Sequence, residues 1–169
     1  MRRGVRLGID VGSVRVGIAA CDPDGILAYP LVTVPRAPEV SHGIPADIAE
    51  VARLVAQQQV IEVVVGLPRS LDGVDGAAAV GARSYALVVA DVCAPVPVRL
   101  IDERLTTVDA HRNLRSSGVS GRAQRRVVDQ AAAVLILQTA LDQERATGAP
   151  AGSPATKPRR KPRRKGSAQ

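Results

Sequence analysis

The feature that most restricts this chain is the order in which its apolar runs are joined: tight turns come first and long crossovers later. Residues 5–9 form a short apolar run that leads into Asp10-Val11-Gly12, and residues 15–21 form a second. Asp22-Pro23-Asp24-Gly25 follows, a turn in which proline presets φ and glycine tolerates a positive one. Residues 26–34 then resume a strand-like pattern, so the first third predicts three strands joined by hairpins. Three prolines mark 35–45 as a loop. Residues 47–58 carry Ile48, Val51, Leu54 and Val55 at helical spacing. A fourth strand is expected over 60–65, ended by Gly66-Leu67-Pro68, and a glycine-rich loop over 69–76. A helix over 77–92 and a fifth strand over 96–101 come next. Thr106-Thr107-Val108-Asp109 has the form of a capping box, opening a helix to about residue 115 ahead of a loop at 116–121. A final helix is expected over 127–144, with Ala131, Val134, Leu135 and Leu141 on its packing face. Hairpins followed by crossovers imply a mixed sheet with helices on its faces, an α/β fold.

A chain of 169 residues suits one domain with a core of its own plus a tail. The expected division is a domain over 1–147 and a disordered basic tail over 148–169, where the composition turns to Pro, Ala, Ser, Lys and Arg. The net charge of +7 lies in that tail: residues 157–165 hold seven basic side chains, and no acid follows Glu144. Without them the chain carries 16 basic and 16 acidic residues, so the charge is an appendage and says little about the fold.

Several classes of function are set aside by composition. No stretch approaches the ~18 consecutive apolar residues of a membrane span, and the N-terminus shows no apolar signal core, so the expectation is a cytoplasmic protein without a membrane partner. Cys21, Cys93, His42 and His111 have no ligand spacing among them, which argues against zinc and for buried, reduced thiols. Tyr29 and Tyr85 are the only aromatic residues. Base stacking on aromatic side chains is therefore scarcely available, and any nucleic acid must be held through its phosphates and shape.

Acidic residues end the predicted strands. Asp10 closes the first, and strand alternation puts Gly8 on its face, where it would leave room beside the carboxylate. Asp102-Glu103 closes the fifth; adjacent strand residues point to opposite faces, so one of the two can join Asp10. Asp129 falls in the expected first turn of the last helix, where the helix dipole favours an ionised carboxylate. Clustered acids raise one another's pKa unless a cation joins them, and oxygen ligands of this kind suit Mg²⁺ or Mn²⁺. Each acid also has an ordinary reading, as a turn residue or a helix cap.

Five segments occur in order: DVGSVRVG from Asp10 to Gly17, VGLP from Val65 to Pro68, LDG from Leu71 to Gly73, DERLTT from Asp102 to Thr107, and VDQAA from Val128 to Ala132. Together they closely resemble the YqgF family, also called RuvX, ribonuclease H-like proteins related to Holliday junction resolvases. The resemblance covers about residues 5–145. It implies a ribonuclease H-like fold with a five-stranded mixed sheet flanked by helices. It also implies a divalent-metal endonuclease acting on branched DNA, on the 5′ end of precursor 16S ribosomal RNA, or on both. By position, Asp10, Glu103 and Asp129 match the family's acidic triad, which would be both catalytic and metal-binding. Asp102 matches a neighbouring acid, for which orienting Arg104 or capping the next helix would suffice. Arg15 and Arg104 match basic motif positions, where a phosphate contact and a structural salt bridge both stand as readings. Arg122, Arg125 and Arg126 precede Asp129 where the family is also basic, and Arg beside a metal site suits a phosphate clamp. Val14 departs from the polar or basic residue frequent there. The tail lies outside the resemblance; its Lys157, Arg159, Arg160, Lys161, Arg163, Arg164 and Lys165 are candidate phosphate contacts on charge alone.

Two alternatives belong to other classes. An actin-like phosphotransferase or ATPase also opens on a strand followed by DxGxxxxG, but needs two duplicated domains. A non-catalytic nucleic-acid-binding protein would use the tail without the acids. If the substrate is a four-way junction, paired nicks are most directly made by a homodimer; trimming an RNA end needs only a monomer.

Overall fold

The computed structural model describes residues 1–38, 42–69, 75–105 and 122–156, with 122–129 described as backbone only. The three expected hairpin strands are β1 (Arg6–Val11), β2 (Arg15–Cys21) and β3 (Ala28–Pro35). Helix α1 (Ala46–Gln57) leads to β4 (Glu62–Leu67), and α2 (Ala77–Val92) to β5 (Val98–Asp102). A 3-10 turn follows at Glu103–Leu105; then come α3 (Arg122–Thr147) and a short β6 (Ser153–Pro154). The expected helix from Thr106 and the loop at 116–121 lie outside the described residues.

The sheet order is β3-β2-β1-β4-β5-β6. β1 pairs antiparallel with β2 and parallel with β4, and β4 pairs parallel with β5. The sheet is thus mixed, as the hairpin-then-crossover order requires. Alternation along the strands divides the core in two. Leu7, Ile9, Val16, Ile18, Val63, Val65 and Leu100 pack beneath α1 and α2, whereas Ala19, Cys21, Val64 and Ile101 pack beneath α3.

Three expectations are corrected. The sheet has six strands rather than five, because the chain beyond residue 147 folds back: β6 pairs antiparallel with β5, and Ala155 N–H donates to the Val98 carbonyl. Arg99 secures this segment, its Nε donating to the Ala151 carbonyl at 2.5 Å and its Nη2 to that of Gly152 at 2.6 Å. Polar, proline-containing composition concealed a strand held by one arginine on the neighbouring strand. The second correction is the start of α3, at Arg122 rather than 127, so Arg122, Arg125 and Arg126 belong to the helix rather than to a loop. Asp129 lies seven residues in, past the first turn to which the dipole effect is largely confined. Third, α3 buries Ala133, Ile136, Leu137, Ala140 and Leu141, while Ala131, Val134 and Leu135 are only partly buried. Residues 131–137 are all apolar, so periodicity alone could not select the buried stripe.

The far end of α3 is tied to the start of β1 by charge. Glu144 accepts hydrogen bonds from Arg2 Nη2 at 2.8 Å and from Arg6 Nη2 at 3.1 Å, and Arg2 also bonds Glu62 at 2.9 Å. Arg6, Glu62 and Glu144 are 1–3% exposed. The two guanidinium groups, Arg2 foremost, hold the Glu144 carboxyl down at about 2. α3 therefore runs antiparallel to β1, and its N-terminal half extends toward the carboxyl ends of β1, β4 and β5.

Candidate active site

Two glycines determine what approaches the sheet at that end. Gly8 of β1 lies directly under α3: a Cβ there would stand 2.6 Å from Leu137 Cβ and 2.8 Å from the Ala133 carbonyl oxygen. The space that Gly8 leaves is filled by the helix, not by the neighbourhood of a carboxylate as expected. Gly66 of β4 performs the role assigned to Gly8. A Cβ at Gly66 would stand 2.6 Å from Glu103 Oε1 and 2.5 Å from Ile136 Cδ1. Glu103 thus lays its carboxylate over β4 on the α3 face. Strand pairing places Ile9 beside Val65 and Gly66 beside Ile101, so Asp10 and Gly66 are next in register. Asp10 alternates with the buried Ile9 and shares a face with Gly8. Two carboxylates, from β1 and from the end of β5, therefore lie on one face of the sheet at one end, with only the side-chain-less Gly66 between them.

The Asp102-Glu103 pair divides, although not by strand alternation: β5 ends at Asp102 and Glu103 opens the 3-10 turn. Asp102 pairs with Leu67, which packs on the α1–α2 side. There it accepts bonds from the backbone N–H of Arg104 at 3.0 Å and from Arg104 Nη2 at 2.6 Å. Its carboxyl is held below the usual aspartate range, chiefly by the Arg104 guanidinium. Asp102 thereby orients Arg104, one of the two roles the sequence left open for it, and holds the 3-10 turn that carries Glu103; the helix from Thr106 that it was also a candidate to cap lies outside the described residues.

Position 129 lies one helical turn before Ala133, about 6 Å along α3. Gly8 to Asp10 is about 6.6 Å along β1. Because Ala133 stands over Gly8, backbone position 129 comes level with Asp10. Arg15 falls at the other side of Asp10: Asp10 pairs with Gly17, and alternation puts residues 15 and 17 on the same face. Val14, the departure in the hairpin, is 69% exposed. Among the described residues no three His, Cys, Asp or Glu side chains gather for a metal, and the third expected acid is described only by its backbone. The basic residues from Lys157 to Lys165 lie outside the described residues.

Sequence reasoning passed over Arg69, just beyond β4. Its Nη1 lies 3.7 Å from Asp102 Oδ2 and its Nε 3.3 Å from Asp75 Oδ1; Asp75 also pairs with Arg83 Nε at 2.8 Å. No spacing rule marks this group, since it assembles from two strand ends and α2. No helix among the described residues is long and apolar enough to cross a membrane.

Residues 4–143 match the family described as "RuvX: Holliday junction resolvase". A Streptomyces avermitilis protein named "Putative pre-16S rRNA nuclease" is 55% identical over 148 residues, covering 88% of this chain and 92% of its own. A Nocardia farcinica protein of the same name is 56% identical over 145 residues, covering 85% and 81%. Among solved structures, Thermus thermophilus RuvC is similar in fold, with a TM-score of 0.50 and 15% identity over 89% of this chain and 99% of that one.

Proposed function

Because the chain belongs to the RuvX family, we propose that it is a divalent-metal-dependent endonuclease whose working carboxylates are Asp10, Glu103 and Asp129. The observation that carries this reading is the placement of Glu103 over Gly66, on the same sheet face as Asp10 in the neighbouring strand. Acids so placed disfavour each other's ionisation unless a cation is shared, and a donor set made of carboxylate oxygens fits a hard divalent ion. Asp10 and Glu103 would hold Mg²⁺ or Mn²⁺, with Asp129 as third ligand from α3. Bound there, the ion would supply Lewis-acid stabilisation of phosphodiester oxygens and acidify a water.

The remaining residues bind and orient. Asp102 fixes the turn on which Glu103 rides and keeps Arg104 directed away from the carboxylates. Arg15, beside Asp10, and Arg122, Arg125 and Arg126, in the first turns of α3, supply cations for the phosphates flanking the cut. With two tyrosines in the whole chain, grip through phosphates is what the composition permits.

The names of relatives more than half identical favour precursor 16S ribosomal RNA as substrate, while the family description favours Holliday junctions. The phosphotransferase reading is not favoured: the family match runs through the acidic motif at 102–107 as well as the opening hairpin. Junction resolution would call for a homodimer with paired sites. The deciding experiment offers both substrates to the purified chain in Mg²⁺ and in Mn²⁺. Asp10→Asn, Glu103→Gln and Asp129→Asn should each abolish cleavage and keep the fold by circular dichroism. Folded variants that cut at the wild-type rate would refute the triad.

A further inference from the structure

Around the end of the sheet from the carboxylates, charged side chains alternate in a row: Arg104, Asp102, Arg69, Asp75, Arg83. The links are 2.6 Å for Arg104 to Asp102, 3.7 Å for Asp102 to Arg69, 3.3 Å for Arg69 to Asp75 and 2.8 Å for Asp75 to Arg83. Three guanidinium groups share two carboxylates, so the row carries one excess positive charge. The arginine side chains are 33–39% exposed, the aspartates 18% and 30%. Asp102 is the most covered of the five, and Arg104 and Arg83 at the two ends are the most open.

The row has a direction. It starts at the residue next to Glu103, passes the end of β4 and ends on α2, whose first turn contains no acid and whose Gly76 cap offers no side-chain acceptor. Asp102 and Arg104 have a structural use in the 3-10 turn, but that use does not extend to Arg69, Asp75 and Arg83, which continue the row away from it. The geometry of the row suits a second anion. Arg104 bonds Asp102 through Nε and Nη2, and Arg83 meets Asp75 through Nε. Since a guanidinium carries five donors in a fixed fork, each retains donors for a phosphate oxygen.

We propose that Arg104, Arg69 and Arg83 form a phosphate track, spaced by Asp102 and Asp75, that leads one nucleic-acid strand from the carboxylates around the sheet end to α2. The track rests on the nuclease reading for its ligand and extends it to two arginines, Arg69 and Arg83, outside the acidic motif. Its contacts are to backbone phosphates, so it contributes affinity without sequence preference.

The test is equilibrium binding of fluorescein-labelled single-stranded RNA and of a labelled four-way DNA junction, in EDTA, across about 50–200 mM salt. Each lost phosphate contact should flatten the slope of log K against log salt by about 0.7 on single strands and about 0.9 on duplex arms. Over that range this removes roughly a 3-fold share of the salt weakening. Arg69→Gln and Arg83→Gln should each show it, the double variant twice as much, and Arg69→Lys should restore most of the slope. Arg53→Gln, which breaks the exposed pair with Glu50 on α1, should leave the slope unchanged. Unchanged slopes in folded Arg69→Gln and Arg83→Gln would overturn the track, and Arg83→Gln alone decides if Arg69→Gln fails to fold. A wild type that shows these slopes yet cuts neither substrate in Mg²⁺ would remove the nuclease reading and leave the track standing. Normal cutting with unaltered slopes would remove the track alone.

Discussion

Replacing Gly66 with alanine separates the site from the core beneath it. The added methyl would lie 2.6 Å from Glu103 Oε1 and 2.5 Å from Ile136 Cδ1, where ordinary contact begins at 3.4 Å. Glu103 must then withdraw by about 0.8 Å, the shortfall between those separations. Ile136 can turn its terminal methyl aside, at the overpacking cost of about 1–3 kcal/mol. That corresponds to a drop in Tm of roughly 3–9 °C for a domain of this size. The catalytic effect should be larger, because a displacement near 1 Å of a positioned group costs on the order of 100-fold in rate. Single-turnover cleavage at saturating enzyme, read beside a thermal melt, gives both quantities. Adding Ile136→Val removes Cδ1 and should recover much of the stability while leaving the rate low, since the clash with Glu103 remains. A folded Gly66→Ala protein with the wild-type single-turnover rate would refute the claim that Gly66 exists to admit Glu103.

Glu144, held at about 2 in the folded chain against an ordinary 4.5, contributes stability that is fully present above pH 4.5 and is lost as the pH falls from there toward 2. The shift corresponds to about 3 kcal/mol; in urea melts from pH 7 to pH 3, Glu144→Gln should begin less stable and lose less on acidification. Parallel curves for the two proteins would rule out this linkage. The described chain ends at residue 156, just past β6, which runs back toward the start of β5 at the sheet end opposite the carboxylates. Deleting residues 157–169 should flatten the salt dependence of nucleic-acid binding by up to about 5–6 units of slope and spare the cleavage rate at saturation; an unchanged slope would show that the tail has no phosphate contacts.

The strand-end acids could be read in the chain because each stands in a recognisable local setting, whereas Asp129 was expected in a first helical turn that it does not occupy. Asp10 follows an apolar run, Asp102-Glu103 follows another, and the motif order made the three-acid pattern specific. Strand alternation, a local rule, anticipated that Asp102 and Glu103 would part, but it is the 3-10 turn beginning at Glu103 that carries the second carboxylate across β4. Alternation failed at Gly8, because what fills the space beside a glycine is decided by the element packed across it. Leu137 and Ala133 of α3 occupy that space, and Gly66, two strand residues beyond Val64, admits Glu103 instead.

What the sequence determined by itself is the first five strands, their hairpin-then-crossover order and the acids at the ends of the first and fifth, since turn chemistry, alternation and family motifs all act over a few neighbouring residues. The tertiary structure decided which stripe of the uniformly apolar 131–137 faces the sheet, that Arg99 draws the chain beyond residue 147 into a sixth strand, and that Arg69 stands between Asp102 and Asp75. In each case the partner is distant in the chain. A single window shows whether a residue can be buried or charged, whereas its partner is chosen only when strand register and helix packing bring remote segments to within bonding distance.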